Sequence, residues 1–158
     1  MRKDTKYAEN SPVPLHTTTR RDLGSEFRSL PDLTDSATRK RLSPAAIEAF
    51  LNISDKWSLK SQDAMLLLGG ISSGRYYGLK KNRKDRLTQD ELTRVSLLIG
   101  IFQALNILFS EKLASQWVSR PNSNAMSKNQ PPLVFLIQGG MPSMLAVRRL
   151  LDSRRGGQ

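Results

Sequence analysis

Thr88-Gln-Asp-Glu-Leu-Thr-Arg-Val-Ser-Leu-Leu-Ile-Gly-Ile-Phe-Gln-Ala-Leu-Asn-Ile-Leu-Phe109 is the stretch whose reading decides the fold. Thr88 and Glu91 have the S/T-x-x-E spacing of a capping box, in which each side chain satisfies an orphan backbone N–H of the first turn. Asp90 and Glu91 also suit the positive end of the helix dipole. Val95, Leu98, Ile99, Phe102, Leu105 and Phe109 then recur at three- and four-residue steps, and Leu97, Ile101, Ile107 and Leu108 widen the stripe almost all round. The spacing predicts a helix that other elements must cover on most sides. A bilayer span fits less well, because Ser96, Gln103 and Asn106 interrupt the apolar run short of the roughly 20 residues required.

Working outward, Ser43-Pro44 reads as a helix start, with the hydroxyl as N-cap and proline where its missing N–H costs nothing. That helix is expected to run to Trp57 with Ala46, Ile47, Phe50, Leu51, Ser54 and Trp57 on one face. A second helix is predicted from Lys60 to Leu68, with Ser61 able to cap it, Met65, Leu66 and Leu68 facing inward, and Gly69-Gly70 ending it. Ser72 then caps a third helix over Ser73–Lys81. Two short helices joined by a glycine turn, the second opening on hydroxyls and ending in lysines, make a helix-turn-helix pattern. Beyond the long helix, Ser110 or Glu111 opens a short helix through Trp117 and Val118, and residues 122–130 read as a loop. Pro131-Pro132 starts a further short helix over residues 133–138, closed by Gly139-Gly140, and Pro142 opens the last one. No strand and no internal repeat is visible. Residues 1–42, poor in apolar and aromatic content, are expected to be a flexible basic arm.

The chain has 158 residues, a formal charge of +11 and no cysteine. Cysteine-based metal sites, disulfides and thiolate chemistry are therefore excluded, and a reducing cytoplasm is the expected compartment. The charge is concentrated. Between Arg75 and Arg86 lie six basic residues and one acid, and between Ser110 and Gln158 seven basic residues and two acids. Such surfaces bind polyanions through counterion release, which makes nucleic acid the leading partner class.

Enzyme chemistry lacks its parts. His16, the one histidine, has no neighbouring carboxylate or second ligand, and Asp90 and Glu91 are accounted for by capping. No catalytic residue, cofactor or metal is expected. The DNA-reading candidates are Ser72, Ser73, Arg75, Tyr76, Lys80 and Lys81, with Arg75 expected to read a base and one of Tyr76 and Tyr77 expected in the core.

Leu42-Ser43-Pro44-Ala45-Ala46, Gly70-Ile71-Ser72, Tyr76-Tyr77, Lys80-Lys81, Leu87-Thr88 and Ser96-Leu97-Leu98-Ile99-Gly100-Ile101 resemble, in that order, the Xre/MbcA/ParS antitoxins paired with RES-domain toxins. Trp117, Arg120-Pro121-Asn122, Pro132-Leu133, Gly139-Gly140, Val147-Arg148-Arg149-Leu150-Leu151-Asp152 and Arg155-Gly156-Gly157 extend the resemblance over about three quarters of the chain. The sequence departs from that pattern at Ser127-Lys128-Asn129 and Leu79, where a Phe-Gly-Gly turn and a tryptophan are usual, and at Ser73 and Gly78, which replace common arginines.

The resemblance implies an all-α protein with an Xre-like helix-turn-helix over residues 43–109, central helix included, and a C-terminal toxin-binding domain over residues 110–158. It implies operator DNA and a RES-domain, NAD-degrading toxin as partners; two-fold operator half-sites then call for a homodimer, and the interrupted apolar run for no membrane association. Ser72, Tyr76, Lys80 and Lys81 match the recognition helix. Pro132, Leu133, Val147, Leu150 and Leu151 match the toxin-binding helices, with Arg154 and Arg155 at the basic end that approaches the toxin. Leu133, Leu150 and Leu151 read equally as plain core. The alternative is a stand-alone helix-turn-helix regulator whose C-terminal part only dimerises.

Overall fold

In the computed structural model, residues 30–123 and 126–157 are described. The chain divides into two units, Met1–Pro31 and Asp32–Gln158. Most of the expected arm, with His16, lies outside the described residues. Among the described residues the second unit contains six helices: α1 (Ser36–Lys56), α2 (Ser61–Leu67), α3 (Ser73–Lys81), α4 (Gln89–Leu108), α5 (Glu111–Trp117) and α6 (Pro132–Gly156). The fold is all-α, and no strand occurs among the described residues.

α4 is the centre of the bundle, packing against α1, α5 and α6. Its capping box is formed: Thr88 Oγ1 accepts from Glu91 N at 3.1 Å, and Glu91 Oε2 accepts from Thr88 N at 2.8 Å. Leu98, Ile101, Ala104 and Leu105 are fully buried, whereas Ile107 is 62% exposed. α4 is long and apolar enough to cross a membrane by length and composition alone, and its apolar side chains instead fill the core shared with α1 and α6.

α1 begins earlier than Ser43-Pro44 suggests. Asp35 is the N-cap, its carboxylate accepting from Thr38 N at 2.8 Å and Thr38 Oγ1 at 2.7 Å, so residues 36–42 are helical rather than arm. Those Thr38 bonds hold the Asp35 carboxyl below its ordinary range, so the cap is lost as the pH falls through the acidic range. Pro44 lies inside α1, and Ser43 has a different task. Its hydroxyl, fully buried, donates to Arg39 O at 2.6 Å and accepts from Leu87 N at 2.8 Å, tying α1 to the entry of α4. Ser43→Ala leaves the Leu87 N–H buried without an acceptor, and thermal melts are expected to show a loss of about 1–2 kcal/mol.

α2 starts at Ser61 with Lys60 as an N-cap that makes no side-chain bond. Leu66 is 40% exposed, and Leu67 takes the inward place expected of it. The helix closes in a Schellman arrangement, Gly70 N bonding Met65 O at 3.0 Å and Gly69 N bonding Leu66 O at 3.0 Å, with positive φ at both glycines. The two helices expected on either side of Gly139-Gly140 are both present, and α6 spans the pair with a break at Gly140. Gly140 alone departs from helical geometry (φ 61°, ψ −143°), while Gly139 stays helical against the buried Ser143.

Candidate nucleic-acid interface and partner surface

α3 comes after the Gly69-Gly70 turn as the second helix of the helix-turn-helix. Ser72 is its N-cap, accepting from Arg75 N at 3.1 Å. Tyr76 and Leu79 point into the core at 4% and 2% exposure. Ser73, Tyr77, Lys80 and Lys81 face outward, with Ser72 exposed at the leading end. Lys80 Nζ sits 5.4 Å from the Tyr76 ring centroid and 6.0 Å from that of Tyr77. The aromatic faces steady the ammonium and leave its charge at the surface. Tyr76 therefore belongs to the core and not to a DNA-reading set. Tyr77, 54% exposed and edge-on to Tyr76, is the tyrosine available outside.

Arg75 is not free to read a base. Its Nε and Nη2 donate to Glu91 Oε1 and Oε2 at 3.2 and 2.9 Å, its Nη1 to Asp85 Oδ2 at 2.9 Å, and Nη2 also to Arg86 O at 2.8 Å. Glu91 is 5% exposed and already closes the α4 capping box. Turning the guanidinium toward a guanine would strand that buried carboxylate, a cost larger than one base contact returns. The Glu91 hydrogen bond, aided by the Coulombic pull of Glu91 and Asp85 and opposed by burial, raises Arg75 above its ordinary value. Arg75 is a positioning residue that seats the recognition helix on α4.

In the C-terminal part, Val147 and Leu151 lie in the core at 2% and 0% exposure, and Pro132 is buried as well. Leu151 is plain core, while Pro132 and Val147 also line a small cleft with Trp117, Phe135 and Leu150. Leu133 and Leu150 are half-buried, and Arg154 and Arg155 stand exposed in the last turn of α6 with Arg149 exposed one turn before. One surface has no forewarning in the sequence: Phe109, Leu113, Gln116, Trp117, Arg120 and Asn122 line a groove of about 140 Å³, and Leu113 is 52% exposed. No group of His, Cys, Asp and Glu placed to hold a metal ion occurs among the described residues.

A helix capped at Ser72 and presented through a glycine turn, with an outward face of hydroxyls and lysines, places the protein in the helix-turn-helix class. The family described as "Antitoxin Xre-like helix-turn-helix domain" matches residues 35–100, from the N-cap of α1 into α4. A protein of Sinorhizobium fredii (strain NBRC 101917 / NGR234), named "Uncharacterized protein y4oB", is 36% identical over 115 residues, covering 72% of this chain and 87% of its own length. No solved structure matches. The chain belongs to the family of antitoxins with an Xre-like helix-turn-helix domain, a DNA-binding class.

Proposed function

We propose that the protein is a cytoplasmic type II antitoxin that neutralises a RES-domain, NAD-degrading toxin and represses its own operon as a dimer. The observation that carries the DNA half is the outward face of α3, where Ser73, Tyr77, Lys80 and Lys81 are exposed while Tyr76 and Arg75 hold the helix in place. Ser72 joins that face, its hydroxyl shared with the cap. Two-fold operator half-sites about one helical turn apart require two such helices, hence the dimer.

The toxin half rests on the family and on the chemistry of the α6 end. Arg149, Arg154 and Arg155 form an exposed cationic end whose guanidinium groups can pair with carboxylates on a partner surface. Leu133 and Leu150 supply the half-buried apolar margin. In this reading residues 43–109 carry DNA binding and residues 110–158 toxin binding, two functions on one packed unit.

Lys80→Ala with Lys81→Ala tests the DNA half. Fluorescence anisotropy with DNA from upstream of the gene is expected to show weaker binding to all sequences and a log-affinity slope against log salt flatter by about 2. Equal affinity and slope in the variant would remove α3 from the interface.

A further inference from the structure

We propose a second phosphate-binding site, resting on the DNA reading above: the cleft between the start of α1 and the start of α4 holds a backbone phosphate of bound DNA. The cleft has a volume of about 480 Å³ and is lined by Arg39, Arg75, Arg86, Leu87, Thr88 and Gln89. Its three arginines differ. Arg75 is neutralised by Glu91 and Asp85. Arg39 and Arg86 have no carboxylate partner among the described residues.

Their guanidinium hydrogen bonds go to neutral atoms only. Arg39 Nη1 donates to the carbonyls of Leu33 and Thr34 at 2.8 and 2.7 Å, and Arg86 Nη1 donates to Ser36 Oγ. The Nε and Nη2 groups of both are left without an acceptor among the described residues. Two guanidinium groups outside any direct ion pair, Arg39 feeling only the Coulombic pull of Asp35, thus share one cleft, each anchored by one nitrogen and open at the others. At the α4 N-terminus the capping box engages the Thr88 and Glu91 N–H groups. The site is carried by the arginine pair.

A tetrahedral phosphate oxyanion suits two such donors, since guanidinium pairs with phosphate through parallel N–H···O bonds. Position favours a polymer phosphate over a free one. The wall between this cleft and α3 is Arg75, in the first turn of the recognition helix beside the exposed Ser72 and Ser73. That end of a recognition helix meets the bases, so the phosphates flanking the groove pass close to it. Arg39 and Arg86 are far apart in the chain, and only the packing of α1 beside the α4 entry joins them.

The test uses the full chain and the same upstream DNA. Arg39→Ala with Arg86→Ala is expected to weaken binding about ten-fold at fixed salt and flatten the salt slope by about 2, with relative preference among DNA sequences unchanged. Arg39→Lys with Arg86→Lys keeps the charges but loses the fork, and is expected to restore most of the slope even where it fails to restore the melting temperature. Wild-type binding with an unchanged slope in the alanine pair overturns this inference alone. Absence of salt-dependent DNA binding by the wild type overturns the DNA reading and this inference with it. Inorganic phosphate that raises the wild-type melting temperature but not the alanine pair's, with no change in DNA affinity, assigns the cleft to free phosphate and overturns the DNA occupant.

Discussion

Arg75→Ala is expected to destabilise the protein by about 2–3 kcal/mol, at or just below the lower limit for breaking a fully buried pair because Arg75 itself keeps 27% of its side chain exposed. For a unit of this size that corresponds to a fall in melting temperature of roughly 6–12 °C. The cause is Glu91, left charged and buried with only the Thr88 N–H for company. Adding Glu91→Gln to Arg75→Ala removes the stranded charge and is expected to recover part of the loss, a coupling that a double-mutant cycle reads directly. Arg83→Ala is the control: Arg83 pairs with Glu48 at the exposed surface, and its loss is expected to cost under about 1 kcal/mol. DNA affinity in Arg75→Ala should fall evenly across base substitutions in the target. A loss confined to one base pair would return Arg75 to the base-reading role expected from sequence.

Leu151→Ala should cost about 3 kcal/mol, within the range for emptying a leucine site in a packed core, since Leu151 is fully buried in the core shared by α4 and α6. Any toxin neutralisation lost in that variant is then a consequence of unfolding. Charge reversal at Arg154 and Arg155 is the informative contrast, because both side chains are exposed at the end of α6. Such surface changes are expected to shift stability by no more than about 0.5 kcal/mol. Circular dichroism melts of the two variants decide between core and interface. A Leu151→Ala protein melting with the wild type would contradict the burial.

Local signals in the sequence are readable where the answer is local: Thr88 with Glu91, Ser72 before α3 and Gly69-Gly70 after α2 each form the cap their spacing predicts. Ser43-Pro44 misleads because proline at a first helical position and proline within a helix look alike in a short window. The true cap is Asp35, and Ser43 is explained only by Leu87, forty-four residues on. Leu66, expected inward, is exposed and Leu67 is buried because a helix of 7 residues is too short for its periodicity to fix a face. Arg75 has the right residue type at the right helix end for base reading. Its partners Asp85 and Glu91 come from the next turn and the next helix, and nothing in the spacing announces that they close around it.

The proposed division of labour between residues 43–109 and 110–158 follows no seam in the fold. α4 packs on both α1 and α6, so cutting at residue 109 would uncover part of the core they share. Truncation is a poor probe of the C-terminal half, and full-length surface variants are the better one.

The decisive experiment is therefore capture of the toxin from the native host with the full-length chain, beside an otherwise identical chain carrying Arg149→Glu, Arg154→Glu and Arg155→Glu. Captured protein is freed and assayed for loss of NAD. The expected result is a partner held by the wild type, released or much weakened by the charge reversal, and active on NAD once free. A partner held equally by both chains would take the α6 end out of the interface, and a wild-type chain that captures no NAD-consuming protein would contradict the antitoxin assignment to a RES-type toxin.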